Sequence, residues 1–378
     1  MRTEALSKLK TKSVDFPLLV VTLILVAFGL IMVFSASYYY SISKTGSPFG
    51  FLLKDLMWVI LGLIFMGAGA IVDYRKYANK GCVLAVLGVC LLLLIIVLTP
   101  VGTVINNASR WITVGPVTIM PGELSKGGMI LFVAWFFSDK RDRIKRFFTG
   151  ILPVLAVTAL FGLLIYKQPN LSTALTLVCI VVAMMLIAGL PWKAVFIAGG
   201  CGIVGLVGWL MTSSGYHASR FTGFLDPFAD PTGETYQVAQ SLLALGSGGF
   251  NGVGLGKSVQ KTLYLPEPQN DFILAIIGEE LGFIGVLALI ALYCIFLWRG
   301  TLIALKAADQ FGMLLAAGTV IMVAIQVIMN IAVVTSSMPA TGINLPFISY
   351  GGNALIIFMF LTGVMLNISR HSNERNDE

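Results

Sequence analysis

Charged residues are scarce in this chain, where Asp, Glu, Lys and Arg together make up 11% of 378 residues. An average soluble domain carries about 25%. So few charges cannot cover a soluble surface, which excludes a soluble enzyme, a disordered chain and a nucleic-acid-binding protein. With 57% hydrophobic residues and a mean hydropathy of +0.90, the chain is predicted to be an all-α polytopic membrane protein. Its long unbroken apolar runs exclude an outer-membrane barrel, which needs alternating strands of about ten residues.

Cysteine and histidine are also few. The five cysteines lie in apolar runs without a CxxC pair, and there are two histidines. A disulfide framework or a metal site built from these residues is therefore not expected. A cleavable signal peptide is not expected either, because the basic N-terminus leads into an apolar window longer than a signal-peptide core.

Apolar windows of membrane-spanning length recur along the chain. A bilayer core about 30 Å thick needs about 20 apolar residues per helix, and ten windows predict ten transmembrane helices in a single domain over 1–378. The windows are 16–37, 52–72, 82–99, 119–138, 148–166, 171–190, 194–212, 272–298, 309–334 and 347–368. When the spans are threaded in order, 17 of the 25 Lys and Arg residues lie in segments on the same side of the membrane as the N-terminus, and seven lie in segments on the opposite side. Both termini are therefore predicted to be cytoplasmic.

One long connection, 213–270, is predicted to be extracytoplasmic and to join the seventh and eighth spans. Its apolar run 236–245 is too short to cross a bilayer and indicates an interfacial or re-entrant helix. A glycine cluster at 246–256 is compatible with tight turns and with backbone N–H groups facing an anion.

Ionisable residues inside spans mark functional sites by default. Glu123 and Lys126 share one helix face, either as a self-neutralising ion pair or as the wall of a polar cavity. Glu279 and Glu280 lie about 80° and 180° around the helix from Asp271 at 100° per residue, so at least one of them is expected to be structural. Asp271 enters the eighth span, where it suits a helix cap or a base.

Four blocks of sequence carry a family resemblance. They are ASRWI…MPGELSK (108–126), KQPNLSTA (167–174), the segment from YQVAQSLLALGSGG to EELGFIG (236–285), and NIAVVTSSMPATGINLPFISYGG (330–352). With these blocks the chain resembles the SEDS proteins (shape, elongation, division and sporulation) of the FtsW, RodA and SpoVE group, and it leans towards FtsW or SpoVE. The resemblance implies a ten-helix peptidoglycan glycosyltransferase that polymerises lipid II at the outer face of the bacterial cytoplasmic membrane.

The same resemblance implies roles for individual residues. Asp271 would be the general base on the acceptor GlcNAc 4-hydroxyl, with undecaprenyl pyrophosphate as the leaving group. Substrate contacts are expected from Arg110, Glu123, Lys126, Gln168, Gln240, Ser241, Lys257, Ser349, Tyr350 and Gly351. Asn170 and Asn270 depart from the family's wording, which commonly has Asp and Thr there.

Partners follow from the same resemblance. They are lipid II and nascent glycan, a class B penicillin-binding protein acting as transpeptidase, other division or elongation proteins, and membrane lipids. The transpeptidase helix is expected against the eighth and ninth spans, where Gly282 and Gly285 would permit close approach. No dedicated metal site is expected, although Mg²⁺ or Mn²⁺ would also offset pyrophosphate charge. The alternatives are a lipid II flippase or other transporter, and a membrane scaffold.

Overall fold

The computed structural model describes residues 13–105, 108–115, 117–138, 144–193, 226–228 and 235–372. Within these ranges the chain is mostly helical, as predicted. The helices are α1 (Phe16–Thr45), α2 (Gly50–Ile71), α3 (Lys80–Val97), α4 (Pro121–Ser138), α5 (Leu152–Tyr166), α6 (Leu171–Ile187), α7 (Tyr236–Gly248), α8 (Ile273–Leu305), α9 (Gln310–Val334) and α10 (Gly352–Arg370). A π-helical turn, Phe147–Ile151, precedes α5, and a 3-10 helix, Tyr74–Ala78, follows α2.

Seven of the described helices are long and apolar enough to cross a bilayer. They are α1, α2, α3, α5 with its preceding turn, α8, α9 and α10. The predicted windows 119–138 and 171–190 correspond to α4, with 18 residues, and to the shorter apolar helix α6, with 17. The predicted window 194–212 lies outside the described residues.

Several helices begin where a short polar side chain accepts a backbone hydrogen bond. Asp15 accepts from Leu18 N at 3.0 Å at the start of α1, and Asp309 accepts from Gly312 N at 2.8 Å at the start of α9. Such caps satisfy N–H groups that have no partner within the helix. The helix starts are therefore encoded locally.

The helices differ in how deeply they lie in the bundle. Most residues in the apolar windows of α9 and α10 are buried, whereas fewer than a third are buried in the windows of α2, α3, α5 and α8. Asn367 joins the ends of α2 and α10, donating to Ala70 O at 2.9 Å and accepting from Tyr74 N at 3.0 Å. An exposed apolar surface around a buried centre suits a lipid solvent.

A small antiparallel sheet lies between α3 and α4. Strand β1 (Thr103–Ile105) pairs with β2 (Ala108–Val114), which pairs with β3 (Val117–Ile119). The all-α prediction is wrong for this segment, which connects the predicted windows 82–99 and 119–138. Strand β2 reads ASRWITV, and its β-branched and aromatic residues favour a pleated, half-buried surface.

Helix α8 is interrupted at Gly282, where the backbone has φ +67° and ψ −168°. Residues 273–280 before the break are all buried, whereas Phe283, Ile284 and Leu287 just after it are more than half exposed. The predicted eighth span therefore consists of a buried helical segment followed by the outward-facing helix 283–305.

Candidate functional site

Asp271 lies in the segment that leads into α8. The N-cap of this helix is Phe272, so Asp271 precedes the cap, contrary to the simplest capping interpretation. Its carbonyl accepts from Asn330 Nδ2 at 2.7 Å, and the same amide donates to Ile343 O at 2.8 Å. A side chain at Gly342 would begin 3.5 Å from Asp271 Oδ2. The carboxylate is half-buried and faces the segment around residue 342.

Asn330 is a positioning residue that the sequence analysis missed. Its side chain is 1% exposed on α9 and connects two segments of chain through their carbonyls. The signal available in the sequence was an Asn at the end of a long apolar run. A polar amide there must find partners, because an unpaired buried polar group is costly.

Glu280 forms a buried ion pair with Lys261. Lys261 Nζ lies 2.6 Å from Glu280 Oε1, and the two side chains are 3% and 0% exposed. Ser35 Oγ on α1 donates to the carboxylate at 2.7 Å and accepts from Lys261 Nζ at 3.0 Å. This triad, Ser35–Lys261–Glu280, joins α1, the connection before Asp271 and α8.

The Glu279 carboxylate accepts hydrogen bonds from backbone N–H groups of the same connection. It accepts from Val259 N at 2.8 Å and Gln260 N at 3.3 Å, and from the Ser258 hydroxyl. The expectation that at least one of Glu279 and Glu280 is structural is confirmed for both. Their carboxylates hold the chain that leads to Asp271.

The glycine cluster packs against the break in α8. Val253 N donates to Glu279 O at 2.9 Å and Gly254 N donates to Glu280 O at 3.0 Å. These two N–H groups are therefore occupied by helix carbonyls, which favours turn geometry over anion binding for this part of the cluster.

Gly282 does not serve the role expected for it at a partner interface. A Cβ on Gly282 would lie 2.3 Å from Gly252 N, and the backbone there has a φ that favours glycine. Gly282 is needed for close approach within the chain itself. At Gly285, a Cβ would lie 2.2 Å from Leu281 Cβ on the same helix.

Glu123 and Lys126 form an ion pair in the first turns of α4. Lys126 Nζ lies 2.8 Å from Glu123 Oε1 and 2.7 Å from Oε2, and both residues are buried. A Cβ on the neighbouring Gly122 would lie 3.2 Å from Thr173 Cγ2 of α6. The pair therefore begins α4 beside the start of α6.

Arg110 and Gln168 support the corner between α5 and α6. Arg110 Nε donates to Gln168 O at 3.4 Å, and its Nη2 donates to Pro169 O. Gln168 Nε2 donates to Leu94 O at 3.1 Å. Asn170 caps α6 by accepting from Thr173 N at 3.3 Å. An Asn performs this cap about as well as the Asp common in the family.

Three further residues predicted to contact the substrate, Gln240, Ser241 and Lys257, lie on α7 and in the connection that follows it. Ser241 Oγ donates to Val334 O at 2.8 Å and ties α7 to α9. Gln240 is half-buried on α7, and Lys257 is exposed directly after the glycine cluster.

Residues 349–351 lie next to the Asp271 segment. Ser349 Oγ accepts from Leu345 N at 2.8 Å, and Gly351 is the N-cap of α10. Tyr350 N donates to Gln269 O at 2.9 Å. Burial, with a smaller contribution from the nearby Asp55 carboxylate, raises the pKa of the Tyr350 hydroxyl to about 12. This tyrosine therefore keeps its proton at neutral pH.

A chain of contacts connects these groups. Thr173 of α6 neighbours Gly122 of α4, Thr176 Oγ1 lies 3.7 Å from Met329 Sδ of α9, and Asn330 follows to bind Asp271. The described residues include no group of three or more His, Cys, Asp or Glu side chains that could hold a metal ion. Asn330 thus holds the segment of the half-buried Asp271, and the buried Lys126 lies on α4, which packs against α9.

Comparisons with known proteins agree with this architecture. Residues 16–374 match the family model described as cell cycle protein, FtsW/RodA/SpoVE. Stage V sporulation protein E of Bacillus subtilis is 43% identical over 364 residues, covering 96% of this chain and 99% of its own length. A probable peptidoglycan glycosyltransferase FtsW of Geobacter sp. strain M18 is 38% identical over 362 residues, covering 95% and 98%.

Solved structures share the fold. A chain from a peptidoglycan synthase complex that coordinates polymerization and crosslinking superposes with a TM-score of 0.79 at 26% identity, covering 94% of this chain and 98% of that one. The rod shape determining protein RodA of Thermus thermophilus gives a TM-score of 0.67 at 29% identity, covering 95% and 96%.

Proposed function

The chain belongs to the FtsW/RodA/SpoVE family, and on that premise we propose that it is a peptidoglycan glycosyltransferase that polymerises lipid II. Relatives 37–39% identical over nearly the whole chain bear the name probable peptidoglycan glycosyltransferase. The observation that carries the proposal is the placement of Asp271. Its carboxylate is half-buried, and its backbone is held by the buried amide of Asn330.

The proposed reaction needs one base. Asp271 takes the proton of the acceptor GlcNAc 4-hydroxyl, and the oxygen attacks C1 of the lipid-linked MurNAc. The C1–O bond to undecaprenyl pyrophosphate breaks, and the pyrophosphate leaves with the electron pair. The α-linked donor becomes a β-1,4 linkage, so configuration inverts. Pyrophosphate leaves without much acid assistance, and a single carboxylate therefore suffices.

Positive charge on neighbouring elements would stabilise the leaving group. Lys126 and Arg110 would offset the developing pyrophosphate charge, with Glu123 orienting Lys126 through their ion pair. The other residues expected to contact the substrate are Gln168, Gln240, Ser241, Lys257, Ser349, Tyr350 and Gly351. Mg²⁺ or Mn²⁺ without a dedicated site would also offset the pyrophosphate charge.

The proposal includes a topology and an assembly. In the proposed topology the chain crosses the bacterial cytoplasmic membrane ten times as one domain over 1–378. The Lys and Arg count supports cytoplasmic termini and an extracytoplasmic connection 213–270. A class B penicillin-binding protein would supply transpeptidation, and the likeness to a chain of a peptidoglycan synthase complex supports such a partner. The cellular role would be in division, shape or sporulation.

Polymerisation of lipid II by the purified protein tests the proposal. We expect glycan strands that a muramidase reduces to disaccharide units, in reactions without any other polymerase. A lipid II flippase or a scaffold would leave the substrate unpolymerised, and that result would refute the proposal.

A further inference from the structure

Three aromatic rings come together at the ends of α1 and α2 that lie near Asp271. The Tyr40 and Phe51 ring centroids are 5.5 Å apart at 57°, and the Phe51 and Tyr350 centroids are 5.2 Å apart at 64°. All three residues are half-buried. We call these residues the ring cluster (Tyr40, Phe51 and Tyr350), and only Tyr350 among them was predicted from the sequence to contact the substrate.

One carboxylate, Glu267, lies at the Tyr40 edge of the ring cluster. Glu267 Oε1 accepts from the Tyr40 hydroxyl at 3.3 Å, and Oε2 accepts from Asn270 Nδ2 at 2.8 Å. The Glu267 backbone has φ +45°, which L residues rarely adopt. Such strain concentrates at ligand sites, where the surrounding structure maintains it.

A second carboxylate, Asp55, lies at the Tyr350 edge. Asp55 is one helical turn beyond Phe51 on α2 and therefore on the same face as the ring that contacts Tyr350. The residue is 4% exposed, and no hydrogen bond or ion pair joins it to another residue in the described part of the chain. A buried carboxylate with no bonding partner among the described residues is costly, and a ligand that donates hydrogen bonds would offset that cost.

The ring cluster adjoins the proposed base. Asn270, which binds Glu267, directly precedes Asp271, and Tyr350 N is bonded to Gln269 O at 2.9 Å. A ligand on the ring cluster would therefore lie beside the carboxylate that we propose deprotonates the acceptor.

We propose that the ring cluster, with Asp55 and Glu267, forms a subsite that binds a pyranose ring of the acceptor disaccharide. This inference rests on the proposed function. A pyranose has an apolar C–H face that packs on aromatic rings, and hydroxyl and acetamido N–H groups that donate to carboxylates. Aromatic walls with a few placed polar groups are typical of small-ligand sites, and a hydrogen bond to a carboxylate is stronger than a neutral one. The subsite holds the acceptor sugar next to Asp271.

Competition by a soluble probe tests the subsite. The probe is the GlcNAc–MurNAc-pentapeptide without lipid or pyrophosphate, added to lipid II polymerisation by the purified full-length chain. We expect the inhibition constant of the probe to rise about tenfold in Asp55→Asn and in Phe51→Leu. The KM for lipid II should rise as well, because the same subsite binds the acceptor sugar of the substrate.

The matched control is Phe49→Leu. Phe49 is an exposed ring two residues from Phe51, and it stacks on Phe34 with centroids 5.6 Å apart. Its substitution should leave the inhibition constant unchanged. Equal inhibition of wild type, Asp55→Asn and Phe51→Leu would overturn the subsite, as would an equal rise in Phe49→Leu.

A direct binding measurement separates this inference from the proposed function. Saturation-transfer NMR reports contact between the probe and the protein without any turnover. Loss of the signal in a folded Phe51→Leu protein supports a saccharide subsite even if wild type makes no polymer. An unchanged signal in Phe51→Leu, in a protein that polymerises lipid II, refutes the subsite alone. Phe51→Leu also carries the test if Asp55→Asn does not fold, which a melting curve in detergent decides.

Discussion

The Ser35–Lys261–Glu280 triad should keep the connection before Asp271 packed against α1 and α8. Breaking the triad should let this connection detach, or open, more often. In Lys261→Met, Glu280 keeps the Ser35 hydroxyl but loses its only cationic partner among the described residues. Removing one member of a buried ion pair costs about 3–5 kcal/mol. At 1.4 kcal/mol per tenfold change in an equilibrium constant, the opened population should rise by a factor of about 10² to 4 × 10³. If the unpaired Glu280 carboxyl binds a proton, its charge is lost, and the rise in the opened population should stay near the lower end of this range.

Hydrogen exchange measures this opening locally. The Val253 and Gly254 amides bond to the Glu279 and Glu280 carbonyls, so their exchange should accelerate when the connection opens. The double variant Lys261→Met, Glu280→Gln should restore most of the protection, because it leaves no unpaired charge. Lys257→Met is the control, since Lys257 is an exposed lysine of the same connection.

Two results would refute this reasoning. One is that the Val253 and Gly254 amides exchange at the same rate in Lys261→Met as in Lys257→Met. The other is a double variant that exchanges as fast as the single one, because the unpaired charge would then not be the cause.

Four further predictions concern the base, the α4 pair, the topology and the break in α8. Asp271→Asn should fold and bind lipid II yet polymerise it at least about 10²-fold more slowly; a near-normal rate in a glycan-synthesis assay would exclude Asp271 as the base. Glu123→Gln with Lys126→Met should keep the wild-type melting temperature but lose polymerisation, whereas recovered activity would make the pair purely structural. A cysteine at the exposed Tyr264, in a background without native cysteines, should react with an impermeant reagent from outside intact cells; labelling only after permeabilisation would reverse the topology. Gly282→Leu should speed Val253 exchange without any partner present, because a Cβ there meets the chain's own backbone; wild-type exchange would return Gly282 to the candidates for a partner contact.

The positions of the helices could be read from composition because membrane insertion is a local constraint. A span must satisfy its backbone internally and be apolar over about 20 residues, so α1, α2, α9 and α10 follow from their own residues. The sheet at β1–β3 was missed because three short strands resemble a polar loop in sequence. Its alternating residues become informative only when paired.

The site divides in the same way. The sequence marked Asp271, Glu123 and Lys126 because a charge in or beside a span is costly wherever it occurs. It could not assign partners to Glu279 and Glu280, since the groups that bind these carboxylates come from α1 and from residues 258–261, about twenty or more residues away in the chain. The break at Gly282 also depends on Gly252, thirty residues earlier.

The sequence by itself therefore determined the membrane class, the approximate helix positions and the identity of the costly charges. Tertiary structure alone decided what each charge faces. Glu280 is neutralised by Lys261, whereas Asp55 has no ion pair or hydrogen bond within the described ranges, although both are buried carboxylates. The physical reason is that burial makes every charge costly, but only the packing of distant segments determines whether a countercharge lies within bonding distance.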